Sequence, residues 1–462
     1  MQSLYTCVFN YYLMKKFLGI TLLSFLASNL YAQTTIARDP EIEQMVREVS
    51  PDSLRSYIQT LVNFGTRNTL STQPDKKRGI AAARQYVLSK FNRFALQSGG
   101  RLTAIIDTTT LQPDKQRVDT VLLLGNVVAT LKGTDPNDDR IFLISGHLDN
   151  MRSSPTDRVG DAPGANDDGS GTAAVLECAR IMSRHNFPAT IIFMTVSGEE
   201  QGLLGSNFMA AKSRKNNLNI EAVLNNDIMG SNNSSETGII NNTQVRVFSE
   251  GLPAFETEKN AKRIRQLGLE NDGKSRQLAR YVKEIGERYI DNLEIKMVYR
   301  SDRFLRSGDH IPFNENGYTA VRITEVNENY QRQHQNVRNE NGIQYGDLID
   351  FIDFEYLRKN TGMNLSTLAN LAKAPAMPQE VKIEIKKLDN TSSLTWKKPA
   401  TGNIKGYYLL VRETTSPVWQ KKIFTTVEEI VLPFSKDNYL FAVQSVNDTG
   451  NESLPVVPGI GR

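Results

Sequence analysis

Apolar positions recur at three- and four-residue spacing over residues 39–94. "DPEIEQMVREV", "SPDSLRSYIQTLVNF" and "DKKRGIAAARQYVLSKFNRF" each gather them on one helical face, and Ser50 or Asp52 is placed to cap the second segment. Beyond them the pattern changes. "TVLLLGNVVATLKG", "RIFLISGH", "PATIIFMTVSGEE", "IEAVLNNDIMG" and "YTAVRITE" are β-rich runs without strict apolar/polar alternation, and "SGTAAVLECARIMSRH" and "LLGSNFMAAKSRK" between them are helical. Unalternating strands separated by helices predict a mainly parallel sheet covered on both faces. Residues 231–300 are more polar and Asn-rich and suggest an insertion or cap, with "SRQLARYVKEIGERYID" helical inside it. "YGDLIDFIDFEYLRKNTGMNLSTLANLA" suggests a closing helix pair. After a linker, "APAMPQE" at 374–380, the short runs "VKIEIKKL", "SSLTWKK", "GYYLLVRET", "VEEIVLPF" and "NYLFAVQSV" repeat at the spacing of a β-sandwich over 381–462.

The first 32 residues form a different kind of segment. From Met14, "MKKFLGITLLSFLASNLYAQ" has two lysines, an apolar stretch and then small residues up to Ala32, the pattern of a cleaved export signal. The apolar run is too short for a membrane span. Its expected removal places the mature chain in a periplasm or outside the cell and lowers the net charge from +4 by the two lysines, to +2. Without a basic block, nucleic-acid binding has no support. Only two cysteines occur, and Cys7 falls in the leader, so Cys178 is left alone on a helical run as a buried apolar side chain.

The chemistry gathers at strand ends. "RIFLIS" runs into Gly146, His147 and Asp149. Asp167 and Asp168 follow in "PGANDDGSG". "TIIFMTVS" ends in Glu199 and Glu200, "EAVLNN" ends in Asp227, and "RSGDHIPF" places Asp309 and His310 just before another strand. In an open α/β sheet that edge holds the ligand site. Singly, "NDDG" is a turn and "GEEQG" a charged strand end. Jointly, so many carboxylates in one cleft are costly unless cations neutralise them, and histidines among them suit zinc better than calcium or magnesium. Two metals roughly 3.5–4 Å apart, sharing one carboxylate, would use about five ligands and leave a glutamate for proton transfer.

These motifs, with Asp167 twenty positions after His147, resemble the co-catalytic di-zinc aminopeptidases of metallopeptidase family twenty-eight over residues 40–372. The resemblance implies an α/β fold, a mostly parallel but mixed eight-stranded sheet sandwiched by helices, in a zinc peptidase domain over 33–373. It further implies two Zn2+, with His147 and Asp227 on one ion, Glu200 and His310 on the other, and Asp167 bridging. Glu199 would be the general base, Asp149 the residue that orients His147, and the peptide bond between Asp167 and Asp168 would be cis. Tyr330 and His334 are spaced differently from the family's Tyr-His stretch and receive no role. The tail resembles a fibronectin type III module, with Trp396 in an early strand and Tyr439 as a corner tyrosine, suited to contact with a surface or polymer.

Together these readings describe an exported zinc exopeptidase acting on peptide substrates, foremost an aminopeptidase. A glutaminyl cyclase-like acyltransferase or a carboxypeptidase on the same fold, and an inactive surface binding protein, are the alternatives.

Overall fold

Three N-terminal helices start where the sequence supplies their caps. The Asp39 side chain accepts the Glu41 amide ahead of α1 (Pro40–Arg47), and Ser50 accepts the Ser53 amide ahead of α2 (Pro51–Val62), each with proline in the first position. The third helix, α3, spans Gly79–Ala95. The structure, a computed structural model, describes residues 34, 36–71, 75–114 and 116–461. The expected export signal at 1–32 lies outside them.

A mixed eight-stranded sheet follows, built from β1 (Leu102–Leu111), β2 (Leu122–Leu131), β3 (Arg140–His147), β4 (Thr190–Val196), β5 (Asn219–Asn226), β6 (Gln244–Phe248), β7 (Glu294–Val298) and β8 (Ala320–Glu325). Their spatial order is β1-β2-β4-β3-β5-β8-β6-β7, and the central run β4-β3-β5-β8 is parallel. Helices cover both faces. On one lie α1 to α3, α4 (Gly169–Met182), α7 (Lys274–Tyr289) and α9 (Phe354–Lys373); on the other lie α5 (Leu204–Lys215) and the short α8 (His310–Glu315). α6 (Glu258–Leu267) contributes no buried residue. Among the described residues, no helix is long and apolar enough to cross a membrane.

Two sequence expectations change here. Residues 231–300 are not a separate cap, because β6 and β7 join the sheet through an antiparallel pairing of β6 with β8. Polar flanks hid two five-residue strands. The closing helix pair is a single 3-10 turn, Ile349–Phe351, followed by one long helix. The edge strand β1, rich in threonine and half-exposed, was not legible as a strand.

α4 is buried on nearly every side, which explains its lack of an amphipathic pattern. It lies so close to β3 that a Cβ on Gly146 would stand 2.5 Å from the Gly171 carbonyl carbon. That approach holds the loop before α4 against the end of β3.

A short hairpin of β9 (Arg338–Glu340) and β10 (Ile343–Tyr345) follows β8. The tail is built from β11 (Gln379–Glu384), β12 (Ser392–Lys397), β13 (Gly406–Glu413), β14 (Lys421–Thr425), β15 (Glu429–Leu432), β16 (Tyr439–Val446) and β17 (Gly459–Gly461), which form a four-stranded sheet, β15-β12-β11-β17, and a three-stranded sheet, β14-β13-β16. Leu394, Trp396, Leu409, Ile423 and Val443 form a core between the sheets. Seven of the eight residues of β13 are buried, so both of its faces are covered. The outward face, with Tyr408 and Leu410, packs beside Ile36 and Trp419.

Polar contacts then fasten the tail to the helices of the first domain. Glu452 is fully buried and meets Arg288 at 2.5 Å and Lys422 at 2.9 Å, while its carbonyl accepts the Tyr281 hydroxyl. Asp272 pairs with both Arg280 and Arg412. The supposed linker is also held, since Arg140 donates to the carbonyls of Ala374 and Pro375.

Candidate metal centre

β3, β4 and β5 deliver their carboxyl ends to one rim of the sheet. His147 is the last residue of β3, and its Nδ1 lies 2.9 Å from the Asp149 carbonyl. A carbonyl only accepts, so Nδ1 carries the proton and Nε2 keeps its lone pair for a metal. Nε2 stands 3.1 Å from Oδ1 of Asp167 and 3.7 Å from Oδ1 of Asp227.

The Asp149 carboxylate does something else. Its two oxygens accept the backbone amides of Glu199 and Glu200, each at 3.2 Å. One buried aspartate therefore orients the imidazole through its carbonyl and fixes the turn after β4 through its side chain. Arg117 closes that turn by donating to the Glu200 carbonyl at 2.7 Å. Gly198, at φ +80°, supplies the backbone conformation that the turn requires.

The loop before α4 is held as firmly. Asp168 caps α4 by accepting the Gly171 amide and also accepts the amide of His147. Asp347 accepts the amides of Asn166 and Asp167. The Asp167–Asp168 peptide bond is cis.

The structure differs from the expected ligand set at one position. His310 begins α8 rather than preceding a strand directly, and its buried ring turns away from the cluster, with Nε2 donating to the Ser301 carbonyl at 2.6 Å. Burial lowers its pKa and keeps the ring neutral. His334 takes the place expected for it, with Nε2 at 3.0 Å from Oδ2 of Asp167 and 3.2 Å from Oε2 of Glu200. Two ligand sets result, His147/Asp167/Asp227 and Asp167/Glu200/His334, each with donor atoms within 4.8 Å of one another. Asp167 belongs to both. Glu199 lies within the same distance of His147 and Glu200, beside these sets.

The electrostatics call for a cation. Burial raises the Glu199 and Asp168 carboxyls well above their ordinary range. Burial acts on Asp167 in the same direction, yet the imidazoles of His334 and His147 outweigh it and hold Asp167 well below. For His147 burial alone would depress the pKa; Asp168, Asp167 and Asp227 reverse that and push it well above. Oε1 of Glu200 is buried with no hydrogen-bond partner. An orphaned carboxylate oxygen, between two histidines and four acidic side chains, fits a zinc-type donor set. Arg322 forms an ion pair with Oδ2 of Asp227 at 3.0 Å, on the side away from His147. A cavity of about 470 Å³ opens over these groups, lined further by Met151, Leu305, Tyr330 and several arginines.

Such a site on such a sheet defines a metal-dependent hydrolase. The model of peptidase family M28 matches residues 126–353. The chain is 40% identical over 423 residues to a "Probable zinc metalloprotease" of Leptosphaeria maculans, covering 91% of this chain and 97% of that one. A protein of the same description from Pyricularia oryzae is 40% identical over 427 residues, covering 91% of this chain and 84% of its own. Among solved structures, the LapA aminopeptidase of Legionella pneumophila shares the fold, with a TM-score of 0.51, 17% identity, and 74% and 77% of the two chains covered. The chain belongs to peptidase family M28 and is a zinc metallopeptidase.

Proposed function

We propose that the protein is an exported exopeptidase that holds two zinc ions and removes residues from the N-terminus of peptides. One observation carries the two-metal reading: the two oxygens of Asp167 face two different histidine–carboxylate sets. A single-zinc cyclase would have no use for the second set, and a decayed binding protein would have no reason to keep both.

In the proposed arrangement His147 and Asp227 would hold one ion and Glu200 and His334 the other, with Asp167 common to both sets. Zinc bound there would supply Lewis acidity toward a peptide carbonyl and acidify a water. Glu199, fixed by Asp149 and facing the cavity, takes the proton of the attacking water and passes it to the leaving amine. A cavity of about 470 Å³ suits a chain end rather than a long extended peptide.

Export is supported by the pattern from Met14 to Ala32, and N-terminal sequencing of the mature protein tests it. The four-plus-three arrangement of the tail supports a fibronectin type III-like module. Tyr439 meets Phe434 there in a tilted contact, with ring centroids 5.2 Å apart. The activity is tested by incubating the purified chain, with and without chelator, with peptides free or blocked at either end. Chelator-sensitive release of N-terminal residues from free peptides only is the expected result. Cleavage from the C-terminus, or cyclisation of N-terminal Gln, would replace this reading.

A further inference from the structure

One wall of the metal-site cavity carries more positive charge than its neighbours neutralise. Arg303 and Arg306 line that wall, and two carboxylates outside the ligand sets, Glu328 and Asp302, tie them to Arg246 and Arg322. Glu328 pairs with Arg246 at 2.7 Å, Arg303 at 3.1 Å and Arg306 at 3.6 Å. Asp302 pairs with Arg322 at 2.8 Å and Arg303 at 3.3 Å. Arg117, on the same cavity, has no carboxylate partner among the described residues and donates only to a carbonyl. Arg322 is answered by Asp302 and by Oδ2 of Asp227, so the excess charge lies with Arg303 and Arg306, which share Glu328 with Arg246, and with Arg117.

The loop that carries this charge is fixed at its base. His310 holds the Ser301 carbonyl, and Asp302 accepts the Arg303 amide. Arg303 and Arg306 both line the cavity with Glu199 and Glu200, and Arg306 is about a third exposed. A guanidinium so placed offers paired N–H donors that match a carboxylate.

We propose that this wall is a carboxylate-binding subsite, so that the preferred peptides carry a carboxylate beside the scissile bond. That group is either an acidic side chain or the free C-terminus of a short peptide. The inference rests on the peptidase reading above and adds the substrate class to it.

The test is steady-state kinetics of the full zinc-loaded chain on matched peptides. Glu is compared with Gln on each side of the scissile bond, and each peptide has a free or an amidated C-terminus. The expected result is a kcat/KM about ten- to a hundredfold higher for the carboxylate-bearing member, carried by KM. The pair that responds identifies the source of the carboxylate. Arg306→Gln should contract the ratio to within about threefold, and Arg306→Lys should recover most of it. Chelator-sensitive hydrolysis indifferent to the carboxylate, or a ratio unchanged in Arg306→Gln, would overturn the subsite and leave the peptidase reading standing. No hydrolysis of any peptide would overturn both.

Discussion

His334 Nε2 lies 3.0 Å from Oδ2 of Asp167, while His147 approaches the opposite oxygen, Oδ1, at 3.1 Å. One carboxylate thus separates two imidazoles, and the second is not the histidine that the sequence motif suggested.

The exchange of His310 for His334 gives the first prediction. His334→Ala should lose about one zinc per chain and most peptidase activity. His310→Ala should keep the zinc content and lose about 1–3 kcal/mol of stability, because it removes a buried hydrogen bond. Zinc analysis beside chemical denaturation checks both, and the opposite pattern would restore His310 as the ligand.

Glu199→Gln preserves shape and hydrogen bonding but removes the base. Turnover should fall by about 10²–10⁴-fold with zinc retained. Near-normal kcat in a zinc-replete variant would assign proton transfer to another group.

Asp149→Asn should weaken the site without removing a ligand. One of its carboxylate oxygens becomes an NH2 facing an amide that it previously accepted, so the Glu199–Glu200 turn loosens. A loss of about 10–100-fold in zinc affinity or activity is expected, measured by competition with a chelator.

Glu452 joins the tail to the rest of the chain. Its pKa is depressed: burial opposes ionisation, and Lys422 and Arg288 more than offset that. The resulting stability is present above the ordinary carboxylate value of 4.5 and is lost as pH falls below it. Glu452→Gln leaves two buried cations short of a partner and should cost about 3–5 kcal/mol at neutral pH. A cost below about 1 kcal/mol in urea denaturation would mean the pair does not fasten the tail.

Glu221 behaves in the opposite sense. Partial burial on β5 raises its pKa from 4.5 to about 7, against the pull of nearby Arg140. Over that interval the unfolded chain has released a proton that the native chain still holds, so stability declines as pH rises. Solvent reaches the side chain, which limits the effect to about 1–3 kcal/mol. Glu221→Gln should be more stable than the parent at pH 8 and equal to it at pH 4, measured by thermal or urea unfolding.

The rim of acidic residues was legible because each lies at the end of an apolar run, and strand ends meet at one edge of a parallel sheet. His147, Glu200 and Asp227 were legible that way, and Asp167 through the acidic, glycine-flanked loop ahead of α4. His334 was not, because it sits in an irregular polar loop, at φ +53°, where no periodicity predicts direction. His310 stands ahead of an apolar run, as a ligand just before a strand would, but the chain turns there into α8 and takes the ring with it. Asp347 was missed for the same reason as His334: its contact with the amides of Asn166 and Asp167 spans about 180 residues of sequence. The covered outer face of β13 was visible as "GYYLLV" without alternation, although what covered it was not.

Diffraction from zinc-grown crystals, measured on both sides of the zinc absorption edge, tests the central claim most directly. Two anomalous peaks should flank Asp167, one between His147 and Asp227 and the other between Glu200 and His334. A single peak, or one at His310 with His334 turned away, would contradict it.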